Sequence, residues 1–179
     1  MKNLVTGFCA VALIMMSCQK KEETPLPTNN DNLPTHSKGA TIVIEKNGAT
    51  TEINALSVTG GNVVSGSQYA FVGLGYVNSE GDVTAMTIDI RFGSENPQSK
   101  TYNLTDDGFN IGQNAYIIIR ESTGSSNEYI SKLGTVKIHQ FTEGNGKIYF
   151  ELDGTFAEVT DGGDTVVNNQ VKISGYVKG

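Results

Sequence analysis

From Gly39 to Gly179, apolar and polar positions alternate in short runs, and no window carries the 3.6-residue apolar period of a helix. Val, Ile, Tyr and Phe gather in these runs, and Gly, Asn, Asp and Ser separate them. Thr41–Lys46 and Ala49–Asn54 flank Asn47-Gly48. Asn-Gly between two such runs predicts a hairpin, because both turn positions need positive φ. Further strands are predicted at 62–65, 68–77, 84–92, 99–104, 114–121, 128–132, 135–141, 147–158 and 166–177. Turns are predicted at 78–82, 106–108, 144–146 and 161–164, where Gly, Asp and Asn cluster.

Parity then separates the two faces of each strand. Met86, Ile88, Ile90 and Phe92 point one way, and Ala85, Thr87, Asp89 and Arg91 the other. Ile148, Phe150, Leu152 and Phe156 point inward, with Tyr149, Glu151, Asp153 and Thr155 outward. Val171, Ile173 and Val177 oppose Lys172, Ser174 and Tyr176. A one-residue slip would bury the charges, so register is well specified. Tyr69–Val77 and Ala115–Ile119 are apolar at both parities and are expected to be central strands covered on both faces. About ten short antiparallel strands predict an all-β domain. The β-sandwich is the preferred arrangement, and a closed or partly open antiparallel barrel, with bends at Gly73 and Gly75, is the alternative.

The first 38 residues have a different texture. After Lys2, residues 4–16 are apolar apart from Thr6 and Gly7, and Met15-Met16-Ser17-Cys18 closes the run. That stretch is shorter than the roughly 20 residues a spanning helix needs, and its layout is that of a secretory signal. A small residue followed by Cys resembles a bacterial lipobox. The resemblance implies a signal peptide over 1–17 and lipidation of Cys18. Gln19, Lys20, Lys21, Glu22 and Glu23 resemble the export signal of surface lipoproteins of the Bacteroidota, which implies the outer membrane, facing the medium. Residues 19–38 hold three of the four prolines and few apolar side chains, so they read as a disordered tether. Twenty such residues reach about 66 Å stretched and about 25 Å as a coil. The domain is thus expected over 39–179. Its last 45 residues or so, with the Gly134–Phe141, Lys147–Phe156 and Val167–Val177 runs, resemble a C-terminal β-domain of unknown function in small Bacteroidota lipoproteins. That resemblance carries no catalytic residues.

Composition narrows the chemistry. The formal charge is −6, from 13 basic and 19 acidic residues. Loss of the leader with Lys2 makes it −7, all of it on 39–179, since the tether's charges cancel. An acidic chain without basic clusters is a poor partner for nucleic acid. Cys9 leaves with the leader and Cys18 is the anchor, so no thiol is expected for catalysis, a disulfide or a metal. His36 falls in the tether and His139 is expected to face solvent, which leaves no hydrolytic triad and too few ligands for zinc. No metal site, cofactor or catalytic residue is assigned. Asp106-Asp107 and Asp161/Asp164 read as turn formers rather than calcium ligands.

Three functional readings follow. The leading one is a non-catalytic surface domain binding a glycan, a host molecule or an envelope protein, with Tyr149 and Tyr176 as candidate outward contacts. A second is a carboxylate-based hydrolase using Glu151 and Asp153, about 6.8 Å apart along one strand face, which needs a deep cleft. A third is a purely structural envelope lipoprotein. Asp164-Thr165-Val166 resembles the Bacteroidota O-glycosylation acceptor, which makes Thr165 a candidate modification site.

Overall fold

The computed structural model describes residues 36–59, 69–93, 97–121, 128–142, 147–160 and 165–179. All of them lie in one compact unit, Pro34–Gly179. The strands are β1 (Gly39–Lys46), β2 (Ala49–Ala55), β3 (Ser57–Thr59), β4 (Tyr69–Val77), β5 (Val83–Phe92), β6 (Thr101–Asn103), β7 (Ala115–Glu121), β8 (Glu128–Thr142), β9 (Lys147–Val159) and β10 (Val166–Lys178). They form one antiparallel sheet in the order β2-β1-β10-β9-β8-β7-β5-β4-β3, with β6 beside β8. The expected all-β fold of about ten antiparallel strands is present, and it takes the second of the two expected arrangements, a nearly closed barrel. The chain itself brings the ends of the sheet together. Ala55 still pairs with Ala40 of β1, while Ser57 two residues on pairs with Gly75 of β4. Between them the Leu56 amide donates to the Gly75 carbonyl at 2.8 Å.

The Asn47-Gly48 turn has φ of 53° and 80°, as its dipeptide predicts. Inward parity also holds: Ile42, Ile88, Ile90, Phe150, Phe156, Val171, Ile173 and Val177 are fully buried in one continuous core. Each such side chain contributes about 2 kcal/mol on burial. At Gly175, β10 lies close against Thr41 and Ile42 of β1. The Gly175 φ is 146°, and a Cβ there would overlap the Thr41 carbonyl oxygen.

Three expectations change. The segments expected at 128–132 and 135–141 are one long strand, because β8 passes through bulges at Lys132 and His139 instead of breaking at Gly134. Strand β7 is covered on both faces as expected, its outward Tyr116 and Ile118 packing with Ile111 and Ile130. Strand β4 is not: Phe71 and Val77 face out and are exposed, because β4 stands next to the end of the sheet, where no loop covers its outer face among the described residues. Strand β3 was not expected at all, being three residues long. It fits against β4 where Gly73 and Gly75 leave room for the Thr59 and Ser57 side chains. The predicted strand at 62–65 and the turns at 144–146 and 161–164 lie outside the described residues, as do Cys18, Gln19, Lys20, Lys21, Glu22 and Glu23.

Candidate functional site

Strands β8, β9 and β10 lie side by side, so their outward residues share one wall of the barrel. Tyr149 and Glu151 of β9 stand opposite Lys178 and Tyr176 of β10. Both histidines of the chain, 103 positions apart in the sequence, reach this wall. The His36 ring stacks on Tyr176 at 3.9 Å between centroids and 9° between planes. It meets Tyr149 edge-on at 6.4 Å. His139, the bulged residue of β8, stacks on Tyr149 at 4.5 Å. Glu151 stands between the two imidazoles, with Oε1 3.7 Å from His36 Nε2 and Oε2 3.3 Å from His139 Nε2. Lys178 Nζ donates to the His36 carbonyl at 2.8 Å and lies 5.0 Å from the Tyr149 ring centre.

This corrects two expectations. Tyr149 points outward but is only 2% exposed, because His139 stacks on its ring and His36 and Lys178 pack against it. His139 is not a solvent-facing residue either, since its side chain is 6% exposed. Tyr176 does stand beside Tyr149 on the adjacent strand, and one face of it is taken by the chain's own imidazole. Burial raises the Tyr149 hydroxyl above the ordinary tyrosine range, and the Glu151 charge adds to it. The phenol therefore stays neutral.

Glu151 and Asp153 share the outer wall with Thr101, Thr135 and Lys137, in an open groove. The hydrolase reading asked for a deep cleft enclosing both carboxylates; here they stand in an open groove, with Glu151 beside two imidazoles. Among the described residues, no group of three or more His, Cys, Asp or Glu side chains is arranged to hold a metal ion. Asp107 acts as a turn former: its Oδ1 accepts the Phe109 and Asn110 amides at 2.9 Å, and its Oδ2 accepts the Asn110 side chain at 2.9 Å. Those hydrogen bonds hold its carboxyl below the usual range. The turn lifts Phe109 into full exposure beside Arg91 and Tyr116. Thr165 is exposed at the entry to β10, and its carbonyl accepts the Thr160 amide at 2.9 Å.

A second cluster was not foreseen. At the barrel end formed by the β1–β2 hairpin, the inward parity of several strands continues past the apolar core into polar residues. Lys46 follows Ile44, Tyr76 follows Leu74, Thr84 precedes Met86, Glu121 follows Ile119, and Glu158 follows Phe156. Tyr129 stands opposite both Ile119 and Glu158. Lys46 Nζ is paired with Glu158 Oε1, while the buried Glu158 Oε2 accepts no hydrogen bond among the described residues. Burial drives the Tyr129 hydroxyl far above the ordinary tyrosine range, and the charges of Glu121 and Glu158 push the same way. Tyr76 is raised by burial and by Glu121. The signal in the sequence was the parity itself, which puts Glu158 in step with Phe150, Leu152 and Phe156. No family model, no curated protein and no solved structure matches this chain.

Proposed function

We propose that this chain is a non-catalytic, structural lipoprotein of the bacterial envelope, a packed β-barrel carried on a lipidated N-terminal arm. The observation that carries the reading is the outer wall of β8–β10. The two tyrosines suited to a ligand are engaged by the chain's own His36 and His139. The barrel interior is likewise filled, its inward side chains forming one continuous core. Such a body is built to persist and to hold position rather than to turn over a substrate. The leader and Cys18 support the anchor, and the Gln19–Glu23 run supports the outer face of the outer membrane.

A deletion strain tests the structural role. Altered envelope permeability with unchanged glycan use is the expected result, and unchanged permeability would overturn it. Metabolic labelling with an alkyne fatty acid tests the anchor: label on the native protein and none on Cys18→Ala is expected. Protease shaving of intact cells tests the outward orientation, and full protection would refute it. The binding reading keeps one observation in its favour. Phe109 stands fully exposed beside Tyr116 and Arg91, the kind of aromatic and cationic pairing that meets a glycan or protein surface. Glycan-array binding and pull-down from crosslinked cells, each with Phe109→Ala as control, would separate it from the structural role.

A further inference from the structure

We propose that residues 36–38 form an acid-fastened strap: protonation of the His36 ring clamps this segment against Glu151 and Tyr176 on the outer wall of the barrel, and deprotonation loosens it. This goes beyond the structural role and does not depend on the anchor.

The strap stands where the chain enters the barrel. Ser37 and Lys38 are exposed and belong to no strand, and β1 begins at Gly39. His36 carries the contacts with the wall described above. Its ring lies flat on Tyr176 at 3.9 Å, and its carbonyl accepts the Lys178 ammonium at 2.8 Å. Its Nε2 is 3.7 Å from Glu151 Oε1, beyond hydrogen-bond reach, so a neutral ring gains little from the carboxylate. A charged ring gains twice. The imidazolium is drawn to Glu151, where a small shift of the ring makes a charge-assisted N–H···O bond. The same charge strengthens its contact with the Tyr176 face.

The other charges around the ring offset one another. Lys137 of β8 stands opposite Glu151, Asp153 is two residues further along β9, and Lys178 of β10 stands opposite Tyr149. Two carboxylates thus face two ammoniums on the wall, and the contact with Glu151 decides the sign. Lys38 adds a positive charge on the strap itself, but it is exposed and screened. Phenols carry no charge in this pH range, so Tyr149 and Tyr176 leave the balance unchanged. His139 approaches the other Glu151 oxygen at 3.3 Å, yet its side chain is 6% exposed against 39% for His36. Charging a buried ring costs solvation that the more exposed ring keeps. One carboxylate also cannot neutralise two imidazoliums side by side. The cluster therefore takes up one proton, and His36 receives it. Imidazole as a group titrates at about pH 6.5, so the strap is fastened below that range and released as pH rises through it. Release frees three more residues from the wall, about 10 Å of extended chain.

The test is amide hydrogen exchange of the full-length chain at about pH 5.5 and about pH 7.5, either side of the imidazole range. It is read at Ser37, Lys38 and Gly39 and corrected for the intrinsic pH dependence of exchange. NOEs between the His36 and Tyr176 rings report the same contact. Corrected exchange about threefold slower at the lower pH is expected, the effect of one half-exposed ion pair, with stronger ring NOEs. Sodium chloride at about 1 M should reduce the difference. Glu151→Gln and His36→Gln should each abolish it. His139→Gln should retain it, because the proton sits on His36. Circular dichroism checks that each variant is folded. No difference between the two pH values, faster corrected exchange at the lower pH, an undiminished difference in Glu151→Gln or His36→Gln, or its loss in a folded His139→Gln would each overturn the proposal.

Discussion

Gly175 and Gly48 both have positive φ, yet they predict very different costs for one added methyl group. Gly48 sits at the tip of the β1–β2 hairpin with φ 80°, and a Cβ there has no neighbour within 4 Å. Gly48→Ala therefore adds only the backbone cost of an L-residue in that region, about 1 kcal/mol. Gly175 sits inside β10, opposite Ile42 of β1 and Leu152 of β9. Gly175→Ala carries a backbone cost of about 1–2 kcal/mol. It also drives a Cβ into the Thr41 carbonyl oxygen and to 3.0 Å from the Ile42 Cα. Those are backbone atoms of a paired strand, so relief means moving β1 against a close-packed core, about 1–3 kcal/mol more. The sum is about 3.5 kcal/mol, or roughly 10 °C in Tm for a domain of this size. Urea denaturation and calorimetry of both variants against the parent give the comparison. If Gly175→Ala loses no more stability than Gly48→Ala, the close approach of β1 and β10 is not as described.

Three further outcomes are expected. Lys46→Met should cost about 2 kcal/mol by strandings of the buried Glu158 charge, a figure reduced for the partial exposure of Lys46, and Lys46→Met with Glu158→Leu should recover most of it; denaturation midpoints read both. Burial raises Tyr76, Tyr116 and Tyr129 above their ordinary value. A raised folded-state value means their contribution is complete below about pH 10, where unfolded tyrosine begins to ionise, and is lost as pH rises toward the folded values. Absorbance at 295 nm should therefore show these phenols ionising only together with alkaline unfolding, and reversible ionisation near pH 10 of all seven tyrosines would contradict it. His36→Ala should uncover Tyr149, so its acetylation by N-acetylimidazole, located by peptide mass, should rise at least several-fold over the parent, with the fold unchanged by circular dichroism.

The faces of the strands could be read from parity because each carries a clean two-residue alternation over a buried side. Met86 to Phe92 and Ile148 to Phe156 are inward as expected. The Asn47-Gly48 hairpin was equally plain, since its geometry is local. What parity could not reveal is what lies over an outward residue. Tyr149 is outward and still buried, because a segment more than a hundred residues earlier folds back across it. For the same reason Phe71 and Ile118 look alike in sequence, yet the first is exposed and the second is covered by Ile111. The choice of barrel over sandwich depended on a bend at Leu56 and a three-residue strand, neither of which carries an apolar pattern. Glu121 and Glu158 were visible at inward parity, but a charge at a strand end reads as solvated until the neighbouring strands are placed around it.

The His36 contact also has a mechanical side. Gly39, the first residue of β1, pairs with Lys178 near the end of β10. A force applied to the chain ahead of His36 would enter the barrel at that pair and tend to peel β1 from β10 one hydrogen bond at a time, the direction in which a sheet resists least. His36 lies three residues ahead of this point, and it is fastened to the far strand through Tyr176 and the Lys178 ammonium. Such a force would load this clasp before it loads the first rung of the ladder. The clasp uses no rung of the β1–β10 ladder, so it can open with the sheet intact.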